Sequence, residues 1–155
     1  MQEVHQFYGQ RLRIRVCGIF IQGNKILMVR HNLDGRKFWA PPGGGMEFGE
    51  SATDCLIREV KEETGLLAKP GELLFVTEYQ QNPLHAIELF FSVSIEGGWL
   101  QPGHDPELPD HAVIEEVKTL SWEEIKSIPP QMVHGIFQKA KNLEELSQLK
   151  GYFKL

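Results

Sequence analysis

The chain has 155 residues, of which 41% are hydrophobic and 24% are charged. This is the composition of an ordinary globular protein, and the length predicts a single domain, residues 1–155, with a sizeable core. The formal net charge of -5, without a basic run in the sequence, argues against long DNA or RNA as a partner, because nothing would attract the phosphate backbone.

The sequence lacks the patterns of secreted and membrane proteins. Its first eleven residues contain no apolar core of signal-peptide length, and nowhere do about 18 apolar residues follow one another. We therefore expect a cytoplasmic protein with no membrane partner. The two cysteines, Cys17 and Cys55, predict buried or semi-buried free thiols rather than a disulfide framework.

Hydrophobic periodicity and turn residues predict a mixture of strands and helices along the chain. The predicted strands are residues 11–21, 25–30, 73–79, 86–95 and 113–120. The predicted helices are residues 51–64, a second that starts at Ser121, and a last one at roughly 131–147 that follows two prolines. We expect a long loop at 31–45 and a turn-rich connection at 97–109, a kind of segment that often lies over a ligand.

The first predicted strand has a period of two. Between residues 11 and 16, arginines alternate with Leu12, Ile14 and Val16. Successive side chains of a strand point to opposite faces of a sheet. We therefore predict a half-buried strand whose packed face carries these three apolar residues.

The helix at 51–64 is bounded by signals at both ends. Ser51 followed by Asp54 is a capping-box start, and Gly65 stands where helices commonly end in a left-handed residue. At about 100° per residue, apolar and charged side chains gather on separate arcs. The predicted packed arc is Thr53, Leu56, Ile57 and Val60. The predicted charged arc is Cys55, Arg58, Glu59, Glu62 and Glu63.

Three glutamates crowd the charged arc. Glu59, Glu62 and Glu63 are spaced so that their side chains are neighbours, and like charges at this spacing repel by a few tenths of a kcal/mol per pair. A solvated acidic face, with Arg58 paired to Glu62, is the plain alternative. A hard divalent cation would relieve the crowding, and carboxylates with no thiolate or imidazole nearby select Mg²⁺ or Mn²⁺ over zinc. Because the histidines are scattered in the sequence, we predict Mg²⁺, with Mn²⁺ as a substitute.

One spaced pattern spans residues 44–66. Gly44 is followed after five residues by Glu50, and residues 58–66 then read Arg-Glu-Val-Lys-Glu-Glu-Thr-Gly-Leu. This pattern resembles the signature of the Nudix hydrolases, with every specified position filled. The resemblance implies an α/β fold, namely an α/β/α sandwich with a mixed sheet and a loop-helix-loop. It also implies Mg²⁺-dependent cleavage of the pyrophosphate bond of a nucleoside diphosphate linked to another group.

The predicted site residues come mainly from this pattern. We predict Glu59 and Glu63 as metal ligands, because their crowded carboxylates suit a cation. The resemblance implies that the Gly44 carbonyl joins the metal shell and that Glu50 and Arg58 form an orienting salt bridge behind it. Such hydrolases bring diphosphate, metal and water together, and nothing in the sequence resembles a nucleophile elbow or a Walker loop. Water is therefore the expected nucleophile.

The residue that activates this water is left open. Glu62 is either a further metal ligand or the base, since a base must lie within hydrogen-bond reach of the water. Members of the family also recruit a glutamate from outside the pattern, and Glu115 or Glu116 could serve. We name Glu116 as a candidate ligand. An exposed strand end is the alternative for both.

Substrate contacts are the weakest part of the sequence interpretation. Phe38 and Trp39 could stack on a base, although large aromatic side chains are more often core. Arg30 and Arg36 could bind phosphates, although basic residues at strand ends are usually solvated. His85, with Tyr79 and Glu88, flanks a glutamine-rich turn and could face the pocket or simply pack against a neighbouring strand.

Two functions of different classes remain from the sequence. The first is a hydrolase of a small nucleotide-derived substrate, such as ADP-ribose, a nucleotide sugar, a dinucleotide or a nucleoside triphosphate. The second is a catalytically silent Nudix-fold module that binds or senses a nucleotide. A module that only binds would have little reason to retain three mutually repelling glutamates. The sequence leaves open whether the protein forms a homodimer.

Overall fold

The computed structural model describes residues 10–33, 35–103 and 113–155. The strands of these residues are β1 Leu12–Ile19, β2 Ile21–Gln22, β3 Lys25–Leu33, β4 Arg36–Ala40, β5 Gly43–Gly45, β6 Leu66–Gln81, β7 Leu84–Gly98, β8 Val113–Ser121 and β9 Gly151–Lys154. The helices are α1 Ala52–Thr64, α2 Trp122–Lys126 and α3 Leu143–Gln148, with short 3-10 turns at Pro130–Met132 and Gly135–Gln138.

The strands form two sheets. The first has the order β5-β1-β7-β6-β9, in which β1 runs parallel to β7 and β6 parallel to β9, while the other neighbours are antiparallel. In the second sheet β3 lies between β4 and β8, and β2 also pairs with β3. The predicted α/β fold with a mixed sheet is confirmed.

The core consists of two clusters, each with side chains from both sheets. One includes Met28, Phe90 and Phe137 and reaches the C-terminal 3-10 turns and α3. The other includes Val16 and Val29 and is covered by the apolar side of α1. Helix α1 is thereby fixed on its sheets through apolar contacts, which is what holds its carboxylates in place.

The predicted ends of α1 are confirmed. The Ser51 hydroxyl accepts a hydrogen bond from the Asp54 amide at 3.1 Å, and Gly65 adopts a left-handed φ of 78°. The predicted division of its faces was partly wrong. Ile57 is exposed, whereas Glu59 and Glu63 are fully buried. The glutamates are buried because this side of the helix rests on β5 rather than on water, which rejects a solvated acidic face.

The predicted packed face of β1 was wrong in its first half. Leu12 and Ile14 are 62% and 47% exposed, and only Val16 lies in the core beside α1. Arg15, on the opposite face of the strand, is instead drawn toward the buried carboxylate of Glu88, 2.5 Å from its Nη1. A buried charge has a stronger requirement for a partner than an apolar side chain has for cover.

Other boundaries also needed correction. The predicted loop at 31–45 contains the end of β3, all of β4 and β5, because β4 returns along β3 after a left-handed Gly35. The predicted last helix at 131–147 is two 3-10 turns and the short α3, which begins only after the cap at Asn142. Strand β9 was not predicted. Part of the predicted 97–109 connection, residues 104–109, lies outside the described residues.

Candidate functional site

Helix α1 carries two fully buried carboxylates against strand β5. The Glu63 Oε1 atom accepts a hydrogen bond from the Gly43 amide at 2.6 Å, and its Oε2 lies 3.4 Å from His31 Nε2. Glu59 is one turn earlier and is also fully buried. Glu62 is partly exposed, at 28% of its side chain. Two carboxylates are thus held in the protein while a third reaches toward solvent.

Arg58 connects the glutamates of this site. Its Nε and Nη2 donate to the two oxygens of Glu50 at 2.7 and 2.9 Å, and its Nη1 lies 2.8 Å from Glu59 Oε1 and 3.3 Å from Glu62 Oε2. It also donates to the Gly45 carbonyl at 3.2 Å. The hydrogen bonds from Arg58 lower the pKa of Glu50 to about 2, and those to Glu50 raise the pKa of Arg58. Charge-assisted bidentate pairs of this kind fix geometry as well as charge.

Gly44 leaves room for the Glu59 carboxylate. A Cβ atom at this position would lie 2.4 Å from Glu59 Oε2, closer than any van der Waals contact allows. The Gly44 carbonyl oxygen is 3.8 Å from the Cys55 thiol. Burial raises the pKa of that thiol to about 12, followed by the effect of the Glu50 charge. The predicted buried free thiols are confirmed at Cys17 and Cys55, and Cys55 remains protonated near neutral pH.

His31 was missed as a member of this site. The sequence interpretation assumed that no imidazole lies near the carboxylates, and the contact between His31 and Glu63 corrects that assumption. Burial, followed by the charge of Arg15, lowers the pKa of His31 to about 4. The ring is therefore neutral near pH 7. No sequence signal marks this histidine, because its approach to α1 depends on how the second sheet packs.

The donor set fits a hard divalent cation. Buried carboxylates and a backbone carbonyl are oxygen donors of the kind that Mg²⁺ binds. Among the described residues, no group of three or more metal-binding side chains forms a ready-made cage. Mg²⁺ usually takes one or two carboxylates and fills its other positions with waters and substrate phosphates.

Glu115 and Glu116 lie on β8 among basic side chains. Glu116 contacts Arg30 at 3.3 Å and Lys118 at 3.0 Å. Glu115 has three polar neighbours: Arg30, Asn32 and Lys37. The hydrogen bond from Asn32 is the main cause that lowers the pKa of Glu115. Both carboxylates are thus paired with polar side chains of β3, β4 and β8.

Two of the predicted substrate residues come together. The Arg30 guanidinium carbon lies 5.5 Å from the centre of the Trp39 ring, and the Lys118 ammonium is at the same distance. Trp39 is only 7% exposed and belongs to a core cluster, whereas Phe38 is half-buried. The face of the Trp39 ring is therefore covered by cations rather than open for stacking.

Two further predicted substrate residues, Arg36 and His85, lie elsewhere. The exposed Arg36 donates to the Gln131 carbonyl at 3.2 Å. His85 lies at the start of β7, and its Nε2 is 2.6 Å from Glu78 Oε2. Neither of these hydrogen bonds connects Arg36 or His85 with Arg30 or Trp39.

A buried polar network lies behind β5. Glu88 is 3% exposed, and its carboxylate contacts Arg15 at 2.5 Å, His134 at 2.6 Å and Thr77 at 3.1 Å. Burial acts to raise the pKa of Glu88, but the interactions with His134 and Arg15 outweigh it and hold that pKa below its usual range. A glutamate inside the apolar run of β7 was the available sequence signal. Of the two alternatives for Glu88, the structure shows the packed one, against residues of the neighbouring strands β1 and β6.

Two sheets, a glycine strand and a helix with buried glutamates define a class of α/β proteins with an acidic cation site. The chain belongs to the NUDIX family, because the NUDIX domain profile matches residues 11–140. The resemblance inferred from residues 44–66 is confirmed. Among the described residues, no helix has the length and apolarity needed to cross a membrane.

Similar proteins agree with this assignment. An ADP-ribose pyrophosphatase of Methanocaldococcus jannaschii is 34% identical over 122 residues, which are 77% of this chain and 72% of that protein. A NUDIX hydrolase from Nitrosomonas europaea has a TM-score of 0.69 at 24% identity and covers 80% of this chain and 81% of its own. A MutT protein from Methanosarcina mazei has a TM-score of 0.70 at 19% identity, and the match covers 90% of this chain and 95% of that protein. The chain is a pyrophosphohydrolase, and its family uses divalent metal ions.

Proposed function

We propose that this protein is a Mg²⁺-dependent hydrolase that cleaves the pyrophosphate bond of a nucleoside diphosphate linked to another group. The observation that carries the proposal is the burial of Glu59 and Glu63 against the glycines of β5. Two carboxylates held one turn apart beside a glycine strand are the kind of oxygen donors that a divalent cation binds. ADP-ribose is the first candidate substrate, because the relative from Methanocaldococcus jannaschii is an ADP-ribose pyrophosphatase.

Glu59 and Glu63 are the proposed metal ligands, together with the Gly44 carbonyl. All of these donors are oxygens, which suit Mg²⁺ and also Mn²⁺, so Mg²⁺ is the proposed ion and Mn²⁺ its substitute. When bound, the ion clamps the diphosphate and lowers the pKa of water in the site. Arg58 and Glu50 are positioning residues, since their bonds fix the orientation of the Glu59 carboxylate.

The proposed reaction is attack by water on one phosphorus of the diphosphate. The bond between that phosphorus and the bridging oxygen breaks, and the bridging oxygen leaves with the other phosphate. For ADP-ribose the products are AMP and ribose 5-phosphate. Glu62 is the proposed base or a further metal ligand, because it is the most exposed glutamate of α1 and a base must reach the water. Glu116 is the alternative ligand from outside α1.

Substrate binding is proposed for side chains on both sides of this centre. Arg30 is suited to a phosphate if it exchanges its contacts with Glu115 and Glu116 for substrate oxygens. Phe38 remains the better candidate for stacking, since Trp39 is buried under cations. Arg36 and His85 remain candidates at the margin. A cytoplasmic location and a homodimer stay predictions from the sequence.

A substrate panel tests the proposal. The protein is incubated with Mg²⁺ and ADP-ribose, a nucleotide sugar, a dinucleoside polyphosphate or a nucleoside triphosphate, and the products are separated by ion-exchange chromatography. We expect turnover that depends on Mg²⁺ and is highest for ADP-ribose. A fall of about 100-fold or more is expected for Glu62→Gln if this glutamate is the base. If Glu62→Gln had the same turnover as the wild type, Glu62 would have no catalytic role. If the wild type turned over none of the substrates, the proposed reaction would be contradicted.

A further inference from the structure

Three charged or polar side chains from distant parts of the chain meet in the core behind β5. Arg15 lies on β1, Glu88 on β7 and His134 between the two 3-10 turns. We call these three residues the Glu88 network. Glu88 receives hydrogen bonds from both of the others, at 2.5 Å from Arg15 Nη1 and 2.6 Å from His134 Nε2.

The hydrogen bonds of His134 determine which of its two ring nitrogens carries the proton. The Ile136 amide donates to His134 Nδ1 at 3.1 Å. An Nδ1 atom that accepts a hydrogen bond carries no proton. The proton of the ring is therefore on Nε2, where it is donated to Glu88. His134 is 6% exposed, so this arrangement is set by the protein rather than by water.

The network reaches the metal site in one direction. Arg15 Nη2 lies 3.4 Å from the Gly43 carbonyl, and the Gly43 amide donates to Glu63 at 2.6 Å. The charges of Glu63 and Glu59 also act on Arg15. One residue of β5, Gly43, therefore separates the guanidinium from a proposed metal ligand.

In the other direction, the Glu88 network reaches strand β4. The His134 amide donates to the Trp39 carbonyl at 2.9 Å, where residue 133 forms a bridge with Trp39. Glu88 thus connects β5, which holds the carboxylates, with β4, which lies beside Arg30. A buried ion pair is seldom more stable than apolar residues of the same volume. Its presence at this junction points to a role in geometry.

We propose that Glu88 is a positioning residue that, through Arg15, holds the glycine strand β5 at the distance from α1 that divalent metal binding requires. This inference rests on the proposed function, because it concerns the same metal site. Residues behind metal ligands commonly change metal affinity or activity by about 10–100-fold when they are replaced.

The decisive variant is the double substitution Arg15→Gln with Glu88→Gln. It removes one positive and one negative charge, so the net charge beside the metal site is unchanged and any change in affinity reports the position of β5. Single Glu88→Gln would leave the Arg15 charge buried without its partner and could fail to fold. The double variant avoids that difficulty, since glutamines can still hydrogen-bond to one another and to His134.

Mn²⁺ affinity is measured by the electron paramagnetic resonance signal of free Mn²⁺, and folding by thermal unfolding without metal. We expect the double variant to bind Mn²⁺ about 10–100-fold more weakly, with kcat lowered by a similar factor and KM nearly unchanged. Leu146→Ala is the control. It shortens a fully buried apolar side chain of α3 and removes none of the hydrogen bonds of the Glu88 network, so it should lower the melting temperature and leave Mn²⁺ affinity as in the wild type.

Three outcomes are distinguishable. Wild-type Mn²⁺ affinity in a folded double variant would overturn the inference. An equal loss of affinity in Leu146→Ala would do the same, since the effect would then follow core stability. A wild-type protein that binds Mn²⁺ but hydrolyses nothing in the panel would contradict the proposed function while leaving the measured affinities to decide the role of Glu88.

Discussion

The carboxylates in and behind the site differ in what neutralises them. Glu50 is paired to Arg58 by two hydrogen bonds near the surface. Glu88 is paired in the core to Arg15 and His134. Glu63 accepts a hydrogen bond from a backbone amide of β5. Glu50 and Glu88 thus each have a guanidinium partner. Glu59 and Glu62 share the Arg58 guanidinium with Glu50, an arrangement to which a divalent cation would add further positive charge.

Replacement of Gly44 tests the approach of β5 to Glu59. In Gly44→Ala the added Cβ would meet the Glu59 carboxylate at 2.4 Å, so the carboxylate or the strand must move. We expect Mg²⁺-dependent turnover to fall by about 100-fold or more, because misplacement by about 1 Å can cost that much. Turnover is measured at saturating ADP-ribose over a range of Mg²⁺ concentrations.

The control for this variant is Gly97→Ala on β7. Its Cβ would make an ordinary contact with Leu67 at 3.5 Å, without a left-handed backbone. We expect it to keep wild-type turnover. A Gly44→Ala protein that is as active as this control would show that the close approach of β5 to Glu59 is not needed for the reaction.

Glu50 makes stability depend on acid pH. Its folded pKa of about 2 lies below the ordinary value of 4.5. The unfolded state therefore binds the proton more readily, so the stabilisation is complete above pH 4.5 and is lost as pH falls toward 2. In Glu50→Gln we expect a lower free energy of unfolding at pH 6 and a shallower fall between pH 4.5 and 2. Urea unfolding at several pH values measures both.

The exposed Glu47 belongs to the same loop and provides the comparison. Glu47→Gln should follow the wild-type curve across this pH range. If Glu50→Gln also followed the wild-type curve, the bonds from Arg58 would contribute nothing to the pH dependence.

Local sequence signals predicted the elements that depend on local chemistry. Helix α1 was predicted with both ends because its cap at Ser51 and its terminal Gly65 lie within the helix segment itself. Strands β4 and β5 were missed because pairing with β3 and β1, rather than alternation within residues 31–45, makes them strands. The last helix was overextended because the periodicity of 131–147 does not reveal that the chain turns at Gly135 and Asn142.

The C-terminal end of α1 gives a prediction about packing. Gly65 is left-handed, and a Cβ there would lie 2.4 Å from the Trp99 carbonyl. Gly23 is also left-handed, but nothing lies within 4 Å of its Cβ position. Alanine in this conformation costs about 1–2 kcal/mol. We expect Gly23→Ala to lower the free energy of unfolding by about that amount.

Gly65→Ala should lower the free energy of unfolding by about 1 kcal/mol more than Gly23→Ala does, because the clash adds to the same backbone strain. Urea unfolding of both variants measures the difference. Equal losses in the two would mean that the segment after β7 yields to the new methyl group, and that the end of α1 is not fixed by its contact with Trp99.

The site exists only where the two sheets and α1 meet. Glu59 and Glu63 were predicted from one segment of sequence, because their spacing and their glycine neighbours lie within residues 44–66. His31 and the Glu88 network were not predicted as members of the site. Their positions depend on pairings such as β1 with β7, which joins residues 15 and 88 across 73 positions of the chain. No local pattern records such a contact.

Metal binding should therefore stabilise the whole fold. An ion that binds the folded chain alone raises the free energy of unfolding by about 2.7 kcal/mol at 100 times its dissociation constant. We expect Mg²⁺ or Mn²⁺ to raise the melting temperature, and EDTA to reverse the rise. In the double variant Glu59→Gln with Glu63→Gln the rise should vanish, even if the apo protein melts at a higher temperature because the buried charges are gone. Glu144→Gln on the exposed side of α3 should retain the full rise. If the rise in melting temperature persisted in the double variant, the stabilising ion would bind away from α1, because the wild type and the double variant differ only at Glu59 and Glu63.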